Sequence, residues 1–162
     1  MLDRKLSLVL PAHNEAENIA AVVRRALEVL PQVVTDFEGI VVDDGSRDGT
    51  AEIVDRLVDE DTRVLVVHHE VNRGYGAALT SGFEAATGEA FMSMDSDRQF
   101  DIADIRALLP YVPHYDVVAG YRIKRRDPLY RLVYAQGVGL AGWGPFWAGV
   151  GGIHCAFKIF RA

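Results

Sequence analysis

From the amino terminus to Ala119, short apolar runs alternate with amphipathic stretches. Leu6-Ser7-Leu8-Val9-Leu10 reads as a buried strand stopped by Pro11. Asn14 is placed to cap a helix whose apolar residues Ile19, Val22, Val23, Ala26, Leu27 and Leu30 share one face, and Pro31 ends that helix. Gly39-Ile40-Val41-Val42 is a second buried strand running into Asp43-Asp44-Gly45-Ser46. A helix over about 50–59 turns Ile53, Val54, Leu57 and Val58 inward, and residues 63–68 form a third strand. A third helix over 76–86 is followed by Gly88 as its carboxyl-terminal cap. Residues 90–94 form a fourth strand ending at Asp95-Ser96-Asp97, residues 102–109 a short helix, and residues 116–119 a fifth strand.

Strands alternating with helices predict an α/β fold, a mostly parallel sheet with right-handed crossovers. Ligands of such sheets bind beyond the carboxyl ends of the strands. The polar clusters fall at those ends: Pro11 to Glu15, Asp43 to Ser46, Asn72 to Gly76 and Asp95 to Gln99. Beyond Tyr121 the pattern weakens. Arg122, Lys124, Arg125 and Arg126 form a basic run, residues 130–140 suit a helix, residues 142–152 are rich in glycine and aromatics, and residues 156–160 suit a last strand.

Composition narrows the class. The chain of 162 residues is 49% hydrophobic and 25% charged, which suits one globular domain over 1–162. A net charge of −6 argues against nucleic acid as a partner. Cys155 is the single cysteine, so no internal disulfide forms, in keeping with a reducing compartment and a cytoplasmic location. No signal-peptide core follows Met1, and the most apolar stretch, residues 138–153, is glycine-rich and too short to span a bilayer.

Asp95 and Asp97, two residues apart past a strand, can converge on a hard cation such as Mg2+ or Mn2+ that bridges substrate phosphates, with Gln99 adding a carbonyl oxygen. A pair of solvated loop carboxylates has the same sequence. In Asp43 to Thr50, Gly45 and Gly49 permit turns, Asp48 or Thr50 can cap the next helix, and Asp44 is placed to accept from a nucleobase or ribose. Asn72-Arg73-Gly74-Tyr75-Gly76-Ala77-Ala78-Leu79 lacks the third glycine of a dinucleotide fingerprint, and the chain has no phosphate loop of the G-x-x-x-x-G-K-[ST] type, so NAD and P-loop chemistry are excluded. Arg122 can neutralise a diphosphate, whereas Lys124 to Arg126 read equally as a solvated loop. His13, His68, His69 and His154 show no metal-ligand spacing and read as ordinary loop or core histidines. Trp143, Phe146 and Trp147 suit a core or a lipid-facing surface.

Taken in order, these clusters resemble the GT-A glycosyltransferases of family 2, and within them the polyprenyl-phosphate branch of the dolichol-phosphate mannose synthase type. The resemblance rests on residues 11–15, 42–50, 72–79, 95–99, Val118-Ala119-Gly120-Tyr121-Arg122 and residues 155–161. It implies that Pro11, His13, Glu15, Val42 and Asp44 hold the nucleoside. Asp95 and Asp97 would hold the metal and diphosphate, with Gln99 as a further ligand and Ser96 close by. Arg122 and Arg131 would meet phosphate charge, and Asp97 and Arg122 would carry the catalytic role. The implied donors are GDP-mannose or UDP-glucose, and the implied acceptor is a polyprenyl phosphate at the cytoplasmic face of a membrane, touched peripherally.

The resemblance also implies an inverting reaction, in which the metal stabilises charge on the departing diphosphate. A sugar hydroxyl acceptor needs a general base, whereas a lipid phosphate is already ionised. The chain lacks the Q-x-x-R-W signature of many saccharide-acceptor members, which favours a phosphate acceptor. A saccharide or protein acceptor, or a non-catalytic nucleotide-sugar-binding domain, are the alternatives. Two departures bear on the acceptor side: Gly152 stands where the family has an aspartate, and Gly139 where it has an asparagine. The family also continues past the position of Arg161 with a further basic segment, so a shortened form is expected.

Overall fold

The computed structural model describes residues 2–120 and 156–161. The expectations that fall on Arg122, Lys124 to Arg126, Arg131, Gly139, Trp143 to Trp147, Gly152, His154 and Cys155 lie outside the described residues. Strands β1 (Leu2–Ala12), β2 (Val34–Asp44), β3 (Val64–His69), β4 (Ala90–Ser93), β5 (Val117–Ala119) and β6 (Lys158–Arg161) form one sheet in the order β3-β2-β1-β4-β6-β5. The pairs β3–β2, β2–β1 and β1–β4 are parallel, and β6 runs antiparallel to both β4 and β5. The expected mostly parallel α/β sheet is therefore present, with one reversed strand near its edge.

Helices α1 (Ile19–Val29), α2 (Thr50–Glu60), α3 (Tyr75–Ala85) and the single turn α4 (Ile105–Leu108) connect the strands. Alternation along the strands sorts the core into two layers. Leu6, Leu8 and Leu10 of β1 and Val41 of β2 pack with Ile19, Val22, Val23 and Ala26 of α1 and Val54 and Leu57 of α2. Val9, Ile40 and Val42 point to the other face and pack under Ala78, Leu79 and Phe83 of α3. Helix α3 lies close on the sheet because Gly82 has no side chain. A Cβ there would sit 2.3 Å from a Val9 methyl, so even alanine would force the helix off the strand.

Three local expectations are corrected. Pro11 does not stop β1; it lies inside the strand, paired in register with Val42. The Val9 carbonyl accepts from the Met94 N–H and the Pro11 carbonyl from Ser96 Oγ, so odd-numbered residues here direct their backbone groups towards β4. Strand β4 has ended by that level, and the missing proline N–H costs no ladder bond. Asn14 does not cap α1, whose first turn is preceded by Asn18. Its backbone φ is +56°, its N–H donates to Ser46 Oγ, and its Oδ1 accepts from the Arg47 N–H, which ties the ends of β1 and β2 together. Gly88 does not cap α3, which ends at Ala86 in extended conformation; the Gly88 N–H donates to Ser7 Oγ instead.

Candidate functional site

The carboxyl ends of β1, β2 and β4 and the start of α3 surround a cavity of about 240 Å3. Of the residues predicted for the site, Pro11, His13, Glu15, Asp44, Asp95, Ser96 and Asp97 line it, together with Asn72, Gly74 and Tyr75 from the approach to α3. A larger cavity of about 630 Å3 lies at the other end of the sheet, beside Leu2 to Arg4 at the start of β1 and Arg161 at the end of the reversed β6. Its guanidiniums are engaged by neighbours, Arg4 by Glu89, Arg106 by Gln32 and Arg161 by Asp116. The smaller cavity is the one where strand-end carboxylates converge, and strand ends are where open α/β sheets bind ligands.

The paired aspartates at the end of β2 have separate tasks, set by strand alternation. Asp43 faces α2: its Oδ1 accepts from the Ser46 N–H, closing the turn, and its Oδ2 lies 3.0 Å from His68 Nδ1. His68 Nε2 lies 3.0 Å from Asp55 of α2. Both ring nitrogens meet carboxylates, which only accept, so the doubly protonated ring is favoured. Burial lowers the His68 pKa, but Asp43 and Asp55 together raise it above the usual histidine value.

Asp44 faces α3 and is 3% exposed. Its Oδ1 accepts from His69 Nδ1 at 2.7 Å and from the Arg73 N–H at 2.9 Å, and its Oδ2 accepts from the Gly74 N–H at 2.8 Å. Because a carboxylate only accepts, His69 donates from Nδ1, and its Nε2 lies 2.9 Å from Ser81 Oγ. Gly74 precedes α3 and has no capping side chain; by accepting from the Arg73 and Gly74 N–H groups, Asp44 sets a carboxylate from a distant strand beside the amino end of the helix. Burial pushes the Asp44 carboxyl up, but the Arg73 N–H, His69 and the Gly74 N–H together hold it below the usual carboxylate range.

His13 Nδ1 donates to the Asp44 carbonyl at 2.8 Å, and its Nε2 accepts from Asn14 Nδ2. Glu15 has its backbone N–H on Thr50 Oγ1 and its carboxylate on Asn18. Asp48 accepts from the Thr50 N–H and hydroxyl and from the Ala16 N–H, so it fastens the start of α2 to the β1–α1 loop. The capping position of α2 is held by Gly49, which has no side chain to cap with, so neither Asp48 nor Thr50 occupies the cap expected of them; Asp48 instead holds the Thr50 N–H from one residue earlier.

At the end of β4, Ser96 is buried and its hydroxyl donates to the Pro11 carbonyl at 2.9 Å. The side chain predicted to stand close to the ligand is thus used to pin the turn. Asp95 and Asp97 on either side are part-exposed and both line the cavity. Asp97 Oδ1 accepts from the Gln99 N–H, and Arg98 adopts φ of +61°, which turns the chain back on itself. The Gln99 side chain is exposed and lies off the cavity lining, and the Val42 side chain is buried under α3 rather than in the cavity wall. Arg122 and Arg131 lie outside the described residues.

Among the described residues no group of three or more His, Cys, Asp and Glu side chains could hold a metal ion. Two part-exposed carboxylates on one turn nevertheless fit a Mg2+- or Mn2+-type ion whose other ligands come from a substrate diphosphate and water. The role of His69 was not legible as a motif. Its signal is the register: parallel pairing sets Asp43 beside His68 and Asp44 beside His69, so the His-His pair meets the Asp-Asp pair one to one.

The family model for Glycosyl transferase family 2 matches residues 7–159. The undecaprenyl-phosphate 4-deoxy-4-formamido-L-arabinose transferase of Pseudomonas fluorescens is 34% identical over 138 residues, covering 84% of this chain and 40% of that protein. The glycosyltransferase AglD of Haloferax volcanii is 39% identical over 122 residues, 73% of this chain and 20% of its own length. The chain therefore spans less than half the length of these curated relatives. A mannosyltransferase from Pyrobaculum calidifontis, solved in complex with GDP-Man and Mn2+, superposes with a TM-score of 0.71 at 24% identity, over 99% of this chain and 45% of that one. Mannosyl-3-phosphoglycerate synthase from Rubrobacter xylanophilus gives 0.77 at 19% identity, over 98% and 53%. At these identities the structural likeness establishes the GT-A fold.

Proposed function

The chain belongs to the family 2 glycosyltransferases, and we propose that it forms the donor-binding core of an inverting, metal-dependent enzyme that moves a hexose from GDP-mannose or UDP-glucose to a polyprenyl phosphate. The observation that carries this reading is the convergence of Asp44, Asp95 and Asp97 on one cavity at the strand ends. Asp44, His13 and Glu15 would meet the nucleoside. Asp95 and Asp97 would hold Mg2+ or Mn2+ against the diphosphate, where the ion supplies charge neutralisation to the leaving group. Ser96, by pinning its turn to the Pro11 carbonyl, would hold the loop that carries both carboxylates at the cavity and spare its reorganisation during reaction. Arg122 and Arg131 would add positive charge for the phosphates. Gln99 would act through its backbone hold on Asp97 rather than as a ligand.

One named relative supports the acceptor class: it is named for undecaprenyl phosphate and is 34% identical over 84% of this chain. A phosphate acceptor enters ionised, so the carboxylates here need not include a general base. Among the described residues no helix is long and apolar enough to cross a membrane, and the reading has the protein meet its lipid acceptor peripherally, at a cytoplasmic membrane face.

The test is calorimetric titration with each nucleotide sugar, with and without Mn2+, followed by transfer to a polyprenyl phosphate. Metal-dependent binding of one donor is expected, and Asp97→Asn should lower transfer by roughly 100-fold or more while the melting temperature stays put. Full transfer by Asp97→Asn would refute the reading.

A further inference from the structure

The acceptor positions left on Asp44 carry information about the base. An ionised carboxylate offers about four lone-pair directions. On Oδ1 both are used, by His69 Nδ1 and by the Arg73 N–H. On Oδ2 one is used, by the Gly74 N–H, which it shares with Asn72 Oδ1. Among the described residues this leaves a single acceptor position, on Oδ2. The arrangement is stiff. His69 is itself buried and held from behind by Ser81 on α3, and the two backbone donors belong to the turn that starts α3.

Guanine presents two adjacent donors on its pairing edge, N1–H and the N2 amino group, and a carboxylate satisfies both only when each oxygen has a free position. Uracil presents one donor, N3–H, between two carbonyls. We propose that this site selects a uracil nucleotide over a guanine nucleotide, because His69 and the Arg73 N–H have already filled the oxygen that guanine would need. The inference rests on the reading that Asp44 meets the nucleobase. Asn72 complements it: its Oδ1 is held by the Gly74 N–H, which leaves its amino group to donate to a uracil carbonyl at the cavity wall. Guanine bound here would lose one donor to an unsatisfied, desolvated position, the kind of mismatch that sites built for hydrogen bonding reject strongly.

The experiment is titration of the chain with UDP and with GDP, each with Mn2+, repeated on Asp44→Ala and His69→Ala. Wild type is expected to bind UDP at least about tenfold more tightly than GDP. His69→Ala removes both the Nδ1 donor and the ring that covers this position of Oδ1, so the preference should narrow by about threefold or more, chiefly through tighter GDP binding. A merely structural role for His69 would weaken both nucleotides alike and leave the ratio unchanged, which would overturn its part in selection. GDP binding as tight as UDP, with both weakened by Asp44→Ala, would overturn the base preference and leave the site standing. Binding of neither nucleotide, or binding indifferent to Asp44→Ala, would remove the Asp44 reading and the inference with it. Should His69→Ala fail to fold, the wild-type ratio decides alone.

Discussion

Replacing Glu38 by glutamine tests how the sheet is held to the loop before β4. Glu38 lies on β2, 5% exposed, on the face that α3 covers. Its Oε1 accepts from Ser7 Oγ and the Thr87 N–H, each at 2.6 Å, and its Oε2 lies 2.8 Å from Thr87 Oγ1 and 2.7 Å from Lys5 Nζ. Burial raises the carboxyl pKa, but Lys5, Ser7 and Thr87 outweigh it and bring the value down from 4.5 to about 2. That difference corresponds to roughly 3 kcal/mol of preference for the ionised form in the folded state. The folded pKa is depressed, so this stabilisation is present above the unfolded value and is lost as pH falls through the folded one. Glu38→Gln keeps one acceptor oxygen but sets an amide NH2 against Lys5 or Ser7, and it should cost about 2–3 kcal/mol at neutral pH. For a chain of this size that is roughly 5–10 °C in melting temperature. Urea denaturation of both proteins between pH 7 and pH 2 is the assay. The gap should be constant above about pH 5 and shrink towards pH 2. A gap that does not change with pH, or one below about 0.5 kcal/mol at neutral pH, would refute the account of Glu38 as a charge-dependent clamp.

Gly45→Ala should destabilise the chain by about 2 kcal/mol or more and weaken nucleotide binding, because φ is +67° and a Cβ would stand 2.5 Å from the Val71 carbonyl carbon, displacing the segment that carries Asn72. An unchanged melting curve would sink that argument. His68 should titrate above the usual histidine value, since burial is outweighed by Asp43 and Asp55. Its contribution to stability is then complete below the unfolded pKa and fades as pH rises through the folded one, and a ring resonance titrating at or below pH 6.5, the reference value, would contradict the pairing.

The positions of the functional loops were legible before any coordinates. A buried parallel strand needs a continuous apolar run, and a chain leaving such a sheet must turn polar at the strand's end. The runs at Leu6 to Leu10, Ile40 to Val42 and Ala90 to Met94 therefore announced both the strands and the clusters that follow them. The α1 and α2 faces were legible for the same reason of period. Pro11, Asn14 and Gly88 were misread because proline, asparagine and glycine are local punctuation only when no neighbour alters their surroundings. Pro11 is tolerated in β1 because β4 has already ended, Asn14 is drawn across to the turn at Ser46 and Arg47, and Gly88 is seated against Ser7. Each of these depends on a partner far away in sequence.

The division of labour between Asp43 and Asp44 shows where the boundary falls. Sequence alone determined that two carboxylates end a buried strand at the edge where an α/β sheet binds ligands, and that another pair ends β4. It could not assign them, because adjacent residues on a strand point to opposite faces and only the packing of α2 and α3 says what each face meets. Tertiary structure placed Asp43 against His68 and Asp55, Asp44 against His69 and the α3 turn, and the hydroxyl of Ser96 under Pro11. Hydrophobic periodicity is a one-dimensional signal and survives in the sequence. Which acceptor position on a carboxylate stays open is decided by donors that only folding brings within 3 Å of it.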